Sequence, residues 1–180
     1  LIEAAVEIFG EAGPARILDH GTGPSTLLLA ALDQWPRATG IGVDRSATAL
    51  DFAARNAGRL GMAGRVRLLL GDWGEGITER FDLVLCNPPY VEAGALLAPD
   101  VADWEPSEAL FGGADGLDDF RRLAPQLGRL LAPGGAACIE IGAGQREPVA
   151  SLFAESGFTI SSRDDLRGVA RSLILRLDRH

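Results

Sequence analysis

The segment Phe81-Asp82-Leu83-Val84-Leu85-Cys86 runs into Asn87-Pro88-Pro89-Tyr90, and this junction constrains the fold more than any other stretch. Residues 83–86 carry no charged or amide side chain, so they read as a strand buried on both faces, which demands packed layers on either side. The strand cannot continue beyond them. Neither proline can donate to a sheet ladder, and Asn87, which precedes a proline, is pushed toward extended backbone. The result is a stiff corner that projects a carboxamide, two backbone carbonyls and a phenol from a strand end. The carboxamide both accepts and donates hydrogen bonds. A turn that merely capped a strand would need neither the asparagine nor the aromatic ring.

The rest of the chain supplies the layers. Leu1, Ala5, Ile8 and Phe9 have helical spacing and predict a helix over residues 1–12, stopped by Gly13-Pro14. Residues 16–19 form a short strand that runs into Gly21-Thr22-Gly23. Pro24 is expected to open a helix reaching Trp35, because a first-position proline loses no hydrogen bond. Residues 41–43 give a second strand closing on Asp44, and Ser46 is a suitable N-cap for a helix burying Leu50, Ala53, Ala57 and Leu60. Residues 66–70 give a third strand ending at Gly71-Asp72-Trp73.

After the proline corner comes an irregular stretch over residues 91–116, long for a connection in a compact domain. Leu117, Phe120, Leu123, Leu127 and Leu130 then predict a helix with Asp118 and Asp119 in its first turn and a kink or break at Pro125. Pro133-Gly134-Gly135 is expected to turn the chain into a fifth strand over residues 136–141. A helix over residues 148–156 and strands over 158–161 and 172–177 follow. Strands alternating with helices imply a parallel, doubly wound sheet, and two consecutive strands at the end imply a final antiparallel hairpin.

With 180 residues, 47% hydrophobic and 23% charged, the chain has enough material for one domain with a core. No apolar run approaches the roughly 20 residues that cross a bilayer, and no basic leader is present, so a cytoplasmic protein without membrane contact is expected. Cys86 and Cys138 both fall in predicted buried strands and read as reduced thiols. No metal site is expected: His20 has no histidine or cysteine at ligand spacing, and it is assigned no role. The formal net charge is -8 and all 17 basic residues are arginine. Such an acidic chain is poorly suited to holding a polyanion by counterion release, so no stable nucleic-acid binding is expected.

Two further stretches bear on a ligand. Gly21-Thr22-Gly23 lies between a strand and a helix, where glycines permit a tight turn and close approach of backbone to ligand. A dinucleotide fingerprint would carry a third glycine at position 26, where Thr26 stands, and the chain has no lysine to serve a P-loop. Asp44, at a strand end, can accept hydrogen bonds from a ribose or can cap a helix. Trp73 suits either an aromatic ligand face or plain packing.

Asn87-Pro88-Pro89-Tyr90 resembles the signature of methyltransferases that use S-adenosyl-L-methionine to methylate an amide or amino nitrogen. With Asp19-His20-Gly21-Thr22-Gly23 upstream and Glu105-Pro106, Gly112-Gly113 and Asp115-Gly116-Leu117 downstream, the chain resembles the HemK/PrmC-type peptide chain release factor glutamine methyltransferases over nearly its whole length. The resemblance implies a Rossmann-like, mostly parallel seven-stranded sheet with a C-terminal antiparallel hairpin, its first and fourth strands adjacent. It implies one catalytic domain over residues 1–180, with an opening helix over 1–14 and the family's small N-terminal helical domain absent from the chain. Gly21, Thr22, Gly23, Pro24, Ser25, Asp44, Asp72, Trp73 and Asn87 would contact the cofactor. Asn87, Pro88 and Tyr90 would be catalytic. Asn87, Pro88, Pro89, Tyr90, Glu105 and Pro106 would meet the protein substrate, a peptide chain release factor. Two residues depart from the family pattern: Ser25 stands where glycine is usual, and His20 where an apolar residue is usual.

Two other functions fit parts of the pattern. A nucleic-acid amine methyltransferase could use the same corner with a flipped base on Tyr90, but the acidic charge and the lack of a separate target-recognition segment disfavour it. A non-catalytic cofactor-binding module would bind S-adenosylmethionine without turnover, and retention of Asn87, both prolines and Tyr90 argues against it.

Overall fold

The structure is a computed structural model that describes residues 1–94 and 110–177. Its elements, in chain order, are α1 (Ile2–Phe9), β1 (Arg16–His20), α2 (Thr26–Gln34), β2 (Thr39–Asp44), α3 (Ala47–Arg59), β3 (Val66–Leu70) and β4 (Phe81–Cys86). Then come α4 (Asp118–Leu130), β5 (Leu131–Glu140), α5 (Arg146–Glu155), β6 (Phe158–Asp164) and β7 (Ala170–Leu177). The strands form one sheet in the order β3-β2-β1-β4-β5-β7-β6. The first five strands pair in parallel, and β7 runs antiparallel to both β5 and β6.

The apolar run of β4 explains its central place. Leu83, Val84, Leu85 and Cys86 are all fully buried. Leu83 and Leu85 join Ile17, Leu28, Leu32 and Ala5 on one face of the sheet, while Val84 and Cys86 join Leu18, Phe120, Leu123 and Leu127 on the other. A strand with cover on both faces has no place for a polar side chain, which is why its sequence does not alternate. Both cysteines are buried and unbonded, as expected for reduced thiols. Burial pushes both thiols up, Cys138 to about 12, so neither serves as a nucleophile near neutral pH.

Five local expectations need correction. The first helix ends at Phe9, ahead of Gly13-Pro14, where Gly10 at its C-cap leaves helical backbone with φ 58° and ψ -150°. Pro24 does not open α2; Ser25, next to it, is left-handed at φ 64°, and the helix starts only at Thr26. Leu60 is 59% exposed, since α3 stops at Arg59 and its helical face stops with it; Leu50 is only partly covered. Pro125 breaks nothing: α4 runs through it. Phe120, Leu123, Leu127 and Leu130 are fully buried, and their burial at about 1.5–3 kcal/mol each outweighs the roughly 3 kcal/mol cost of an interior proline. Finally, Pro133-Gly134-Gly135 does not precede β5 but interrupts it. Phe81 pairs with Leu131 and Leu83 with Ala136, so the tripeptide bulges out of the ladder.

Candidate active site

The parallel strands β1 to β4 all end on one side of the sheet. At that side His20 pairs in register with Cys86 on β4 and with Val43 on β2, and Asp44 pairs with Leu70 on β3. The residues that leave the sheet from these strands, Gly21, Asp44, Asp72 and Asn87, therefore gather along one rim. Such a rim, where connections depart to opposite faces, is where ligands bind in open α/β sheets.

The loop after β1 is braced from below. Asp19 is buried, and its Oδ2 accepts the Thr22 hydroxyl hydrogen at 2.6 Å. The Ser25 hydroxyl lies 3.0 Å from the Thr22 oxygen, and because Thr22 already donates to Asp19, Ser25 is the donor of that pair. Gly42 on β2 makes this packing possible: a Cβ there would lie 2.9 Å from the Thr22 side chain. Gly21 and Gly23 both have positive φ, at 62° and 53°, and a Cβ on either would meet nothing within 4 Å. Their outer side is open. Ser25 takes a conformation that glycine adopts without strain, which accounts for the family preference for glycine there.

Asp44 fastens this loop to the next one. Its Oδ2 accepts the Gly23 N–H at 2.8 Å and its Oδ1 accepts the Ser46 N–H at 2.9 Å. Each carboxylate oxygen keeps a further lone pair for a ligand hydroxyl. The capping role falls to Ser46, whose hydroxyl oxygen accepts the Ala49 N–H at 3.2 Å.

On the far side of the rim, Asp72 forms an ion pair with Arg122 of α4. Trp73 has a left-handed backbone at φ 51°, and its ring stands edge-on to His20, with centroids 5.9 Å apart. His20 is fully buried and, among the described residues, neither of its nitrogens has a hydrogen-bond partner; desolvation lowers its pKa to about 4, so it is neutral at ordinary pH. Desolvation also raises Asp19, to about 7, with the Thr22 hydrogen bond opposing it. The segment over residues 72–77 is held by α4: Arg129 donates to the carbonyls of Gly74 and Ile77 at 2.5 and 2.6 Å, and Gln126 accepts the Gly74 N–H at 3.1 Å. Sequence reasoning missed these supports. Arg122, Gln126 and Arg129 recur at helical spacing on the polar side of α4, opposite the buried Phe120, Leu123, Leu127 and Leu130.

The corner has an exposed Asn87, a buried Pro88 and a partly buried Tyr90. Among the described residues no group hydrogen-bonds the Asn87 carboxamide. The Tyr90 hydroxyl donates to Glu140 Oε1 at 3.3 Å and its carbonyl accepts from Gln145 Nε2 at 2.9 Å. Pro89 stands beside them, partly buried. Glu105 and Pro106 lie outside the described residues. A hollow of about 280 Å³ lined by Arg16, Gly40, Arg65 and Glu79 lies at the opposite end of the parallel strands and has no part in this rim.

These residues fit S-adenosylmethionine. The open side of a strained glycine loop suits a small zwitterion, the Asp44 carboxylate suits a ribose, and Trp73 suits an aromatic base. No group of three or more metal-ligating side chains occurs among the described residues.

A family model described as a methyltransferase domain matches residues 13–155. The chain is 43% identical over 179 residues to the release factor glutamine methyltransferase of Rhodospirillum rubrum, covering 98% of this chain and 55% of that protein. It is 45% identical over 181 residues to the release factor glutamine methyltransferase of Cereibacter sphaeroides, covering 98% of this chain and 63% of that one. The chain thus spans somewhat more than half the length of these curated relatives. Among solved structures, the ribosomal protein L11 methylase of Lactobacillus delbrueckii subsp. bulgaricus superposes with a TM-score of 0.73 at 20% identity, over 98% of this chain and 77% of that one. That likeness establishes the Rossmann-like methyltransferase fold, with the expected C-terminal antiparallel hairpin.

Proposed function

This chain belongs to the methyltransferase domain family, and from that premise we propose that it methylates the side-chain amide nitrogen of a glutamine in a peptide chain release factor, with S-adenosylmethionine as methyl donor. One observation carries the reading: the in-register pairing of His20 with Cys86 makes the cofactor loop and the Asn87 corner leave the sheet side by side. The names of the relatives support the choice of acceptor.

When bound, S-adenosylmethionine supplies a methyl group already activated on a sulfonium. The chain's own residues have a different task. An amide nitrogen is a poor nucleophile, because its lone pair is delocalised into the carbonyl. The Asn87 side-chain oxygen and the Pro88 carbonyl can each accept one N–H of the acceptor amide. Holding both hydrogens aims the lone pair and favours the positive charge that develops on nitrogen. Tyr90, tied at its hydroxyl by Glu140, offers a ring face on which a planar amide can stack. The buried Asp19 and Thr22 hold the glycine loop in shape, and Asp44 locks that loop to the start of α3. Pro24, Asp72 and Trp73 complete the wall proposed to face the cofactor. Glu105 and Pro106 are proposed on the substrate side from the resemblance alone.

The decisive measurement is radiolabelled methyl transfer from S-adenosylmethionine into purified release factors, DNA and RNA, followed by mapping of the modified residue. Label on a release factor glutamine is expected. Label on a nucleic acid alone would overturn the reading, as would cofactor binding with no transfer to any acceptor. No helix among the described residues is long and apolar enough to cross a membrane, and a cytoplasmic location goes with a release factor as substrate.

A further inference from the structure

Gln145 sits at the N-cap position of α5 yet does not cap its own helix. Its side chain points to other backbone groups. Oε1 accepts the Gly142 N–H at 2.9 Å, while Nε2 donates to the Tyr90 carbonyl at 2.9 Å and to the Gly116 carbonyl at 3.4 Å. A primary amide has one acceptor oxygen and two donor hydrogens, and here all three are committed. The three backbone groups come from three separate segments: the proline corner, the stretch before α4, and the turn between β5 and α5.

The surrounding glycines show how closely these segments meet. A Cβ at Gly116 would lie 2.4 Å from the Tyr90 carbonyl oxygen and 2.7 Å from Gln145 Nε2. One at Gly142 would lie 2.8 Å from Gln145 Oε1 and 3.1 Å from the Tyr90 ring, and one at Gly112 would lie 2.5 Å from the Pro89 carbonyl oxygen. Side chains are excluded at all three positions so that three backbones can converge on one amide. The segment is further laced to the corner by Gly112 N–H donating to Val91 O, and Val91 N–H donating to Leu110 O, each at 2.9 Å. Tyr90 is thus held at its backbone by Gln145 and at its ring tip by Glu140.

We propose that Gln145 is a positioning residue for methyl transfer: without touching the acceptor, its amide fixes the Tyr90 backbone, and through it the ring and the Pro88 carbonyl that receive the acceptor amide. The inference rests on the corner being the acceptor site, as proposed above. Carboxylate at this position keeps the acceptor and loses both donors, so two carbonyls would face a negative charge. Protonation of that carboxyl restores one O–H donor.

The test uses Gln145→Ala and Gln145→Glu in the whole chain. Tyr90 is the chain's one tyrosine, so labelling with 3-fluorotyrosine gives a single fluorine resonance that reports on it. Both variants are expected to shift or broaden that resonance. Their kcat on release factor should fall ten- to a hundredfold, with S-adenosylmethionine Kd within twofold of the parent. Gln145→Glu should recover activity relative to the parent as pH is lowered from 8 to 6, a response that Gln145→Ala should lack. An unmoved fluorine resonance overturns the inference. So does a kcat that falls only in proportion to the folded fraction, or a Gln145→Glu deficit independent of pH. If the parent chain methylates no release factor, the proposed function fails, while the fluorine spectra still decide whether Gln145 positions Tyr90.

Discussion

His20 and Cys86 stand opposite one another in the last register of β1 and β4. Strands in a sheet lie about 4.8 Å apart, so the next residues of the two chains, Gly21 and Asn87, depart from neighbouring points. The loop proposed for the methyl donor and the corner proposed for the methyl acceptor need no other device to face each other. The sheet itself sets their separation, and changes in either loop leave it intact.

Asn87 should matter for turnover far more than for stability. It is exposed at a strand end, and among the described residues its carboxamide makes no hydrogen bond. Asn87→Ala is expected to lower kcat on release factor by a factor of about 10²–10³, equivalent to roughly 2.7–4 kcal/mol, as for other preorganised hydrogen-bonding groups. Thermal melting and cofactor Kd should change little. Asn87→Asp keeps an acceptor but adds a charge near the sulfonium, so it should alter cofactor affinity where alanine does not. Near-normal turnover in Asn87→Ala would refute the mechanism.

Asp44 should control cofactor affinity. Asp44→Ala removes the acceptor for Gly23 and Ser46 and the proposed ribose contact together. Hydrogen bonds to charged groups contribute about 1.5–3 kcal/mol each, so Kd for S-adenosylmethionine should rise at least tenfold. Titration calorimetry measures it directly. An unchanged Kd would remove Asp44 from the ribose site.

Asp19 should make the fold lose stability as pH rises. Its folded pKa, about 7, lies above the ordinary value of 3.8. Between these values the folded state binds more protons than the unfolded one, so stability falls as pH climbs through that window. Asp19→Asn removes the effect and should gain on the parent from pH 5 to pH 8, by roughly 3 kcal/mol at most, since about two pH units of the window lie in that range. Denaturant midpoints at the two pH values test it; a difference that stays constant, or reverses, contradicts the assignment.

His20 should act in the opposite sense. Its folded pKa of about 4 lies below 6.5, so the unfolded state binds the proton first and stability is lost as pH falls from 6.5 toward 4. His20→Leu removes two buried nitrogens that have no partner among the described residues and should stabilise the fold by about 1–3 kcal/mol at pH 7. The gain should grow as pH is lowered to 5. Since Asp19 and His20 are consecutive and respond oppositely, the parent should be flatter between pH 4 and 6.5 than either variant. A variant with the parent's pH profile would count against this.

Much of this architecture was legible in the residues. Residues 66–70 are β3 as expected, Ser46 caps α3, and the antiparallel end of the sheet follows from two strands with no helix between them. What escaped was the part decided by contacts between distant segments. Pro125 argues for a break locally, yet four buried side chains on the same helix override it. Pro133-Gly134-Gly135 argues for a turn, yet the ladder to β4 resumes beyond it. In the candidate site, the glycine loop, Asp44 and the corner were named from sequence. Gln145, Arg122 and Arg129 were not, because a polar residue on or beside a helix looks the same whether it meets water or a carbonyl or carboxylate from fifty residues away.

The place of β7 has a consequence for how the protein is made. It lies between β5 and β6, so an interior strand of the sheet follows all the other described strands and helices off the ribosome. Until residues 170–177 emerge, β5 presents an unpaired edge next to the strand that carries the proline corner, and unpaired edges invite association with other chains. Synthesis stalled anywhere between β6 and β7 would leave every proposed catalytic residue translated and the sheet still open. Such a nascent chain gains its finished sheet only with β7.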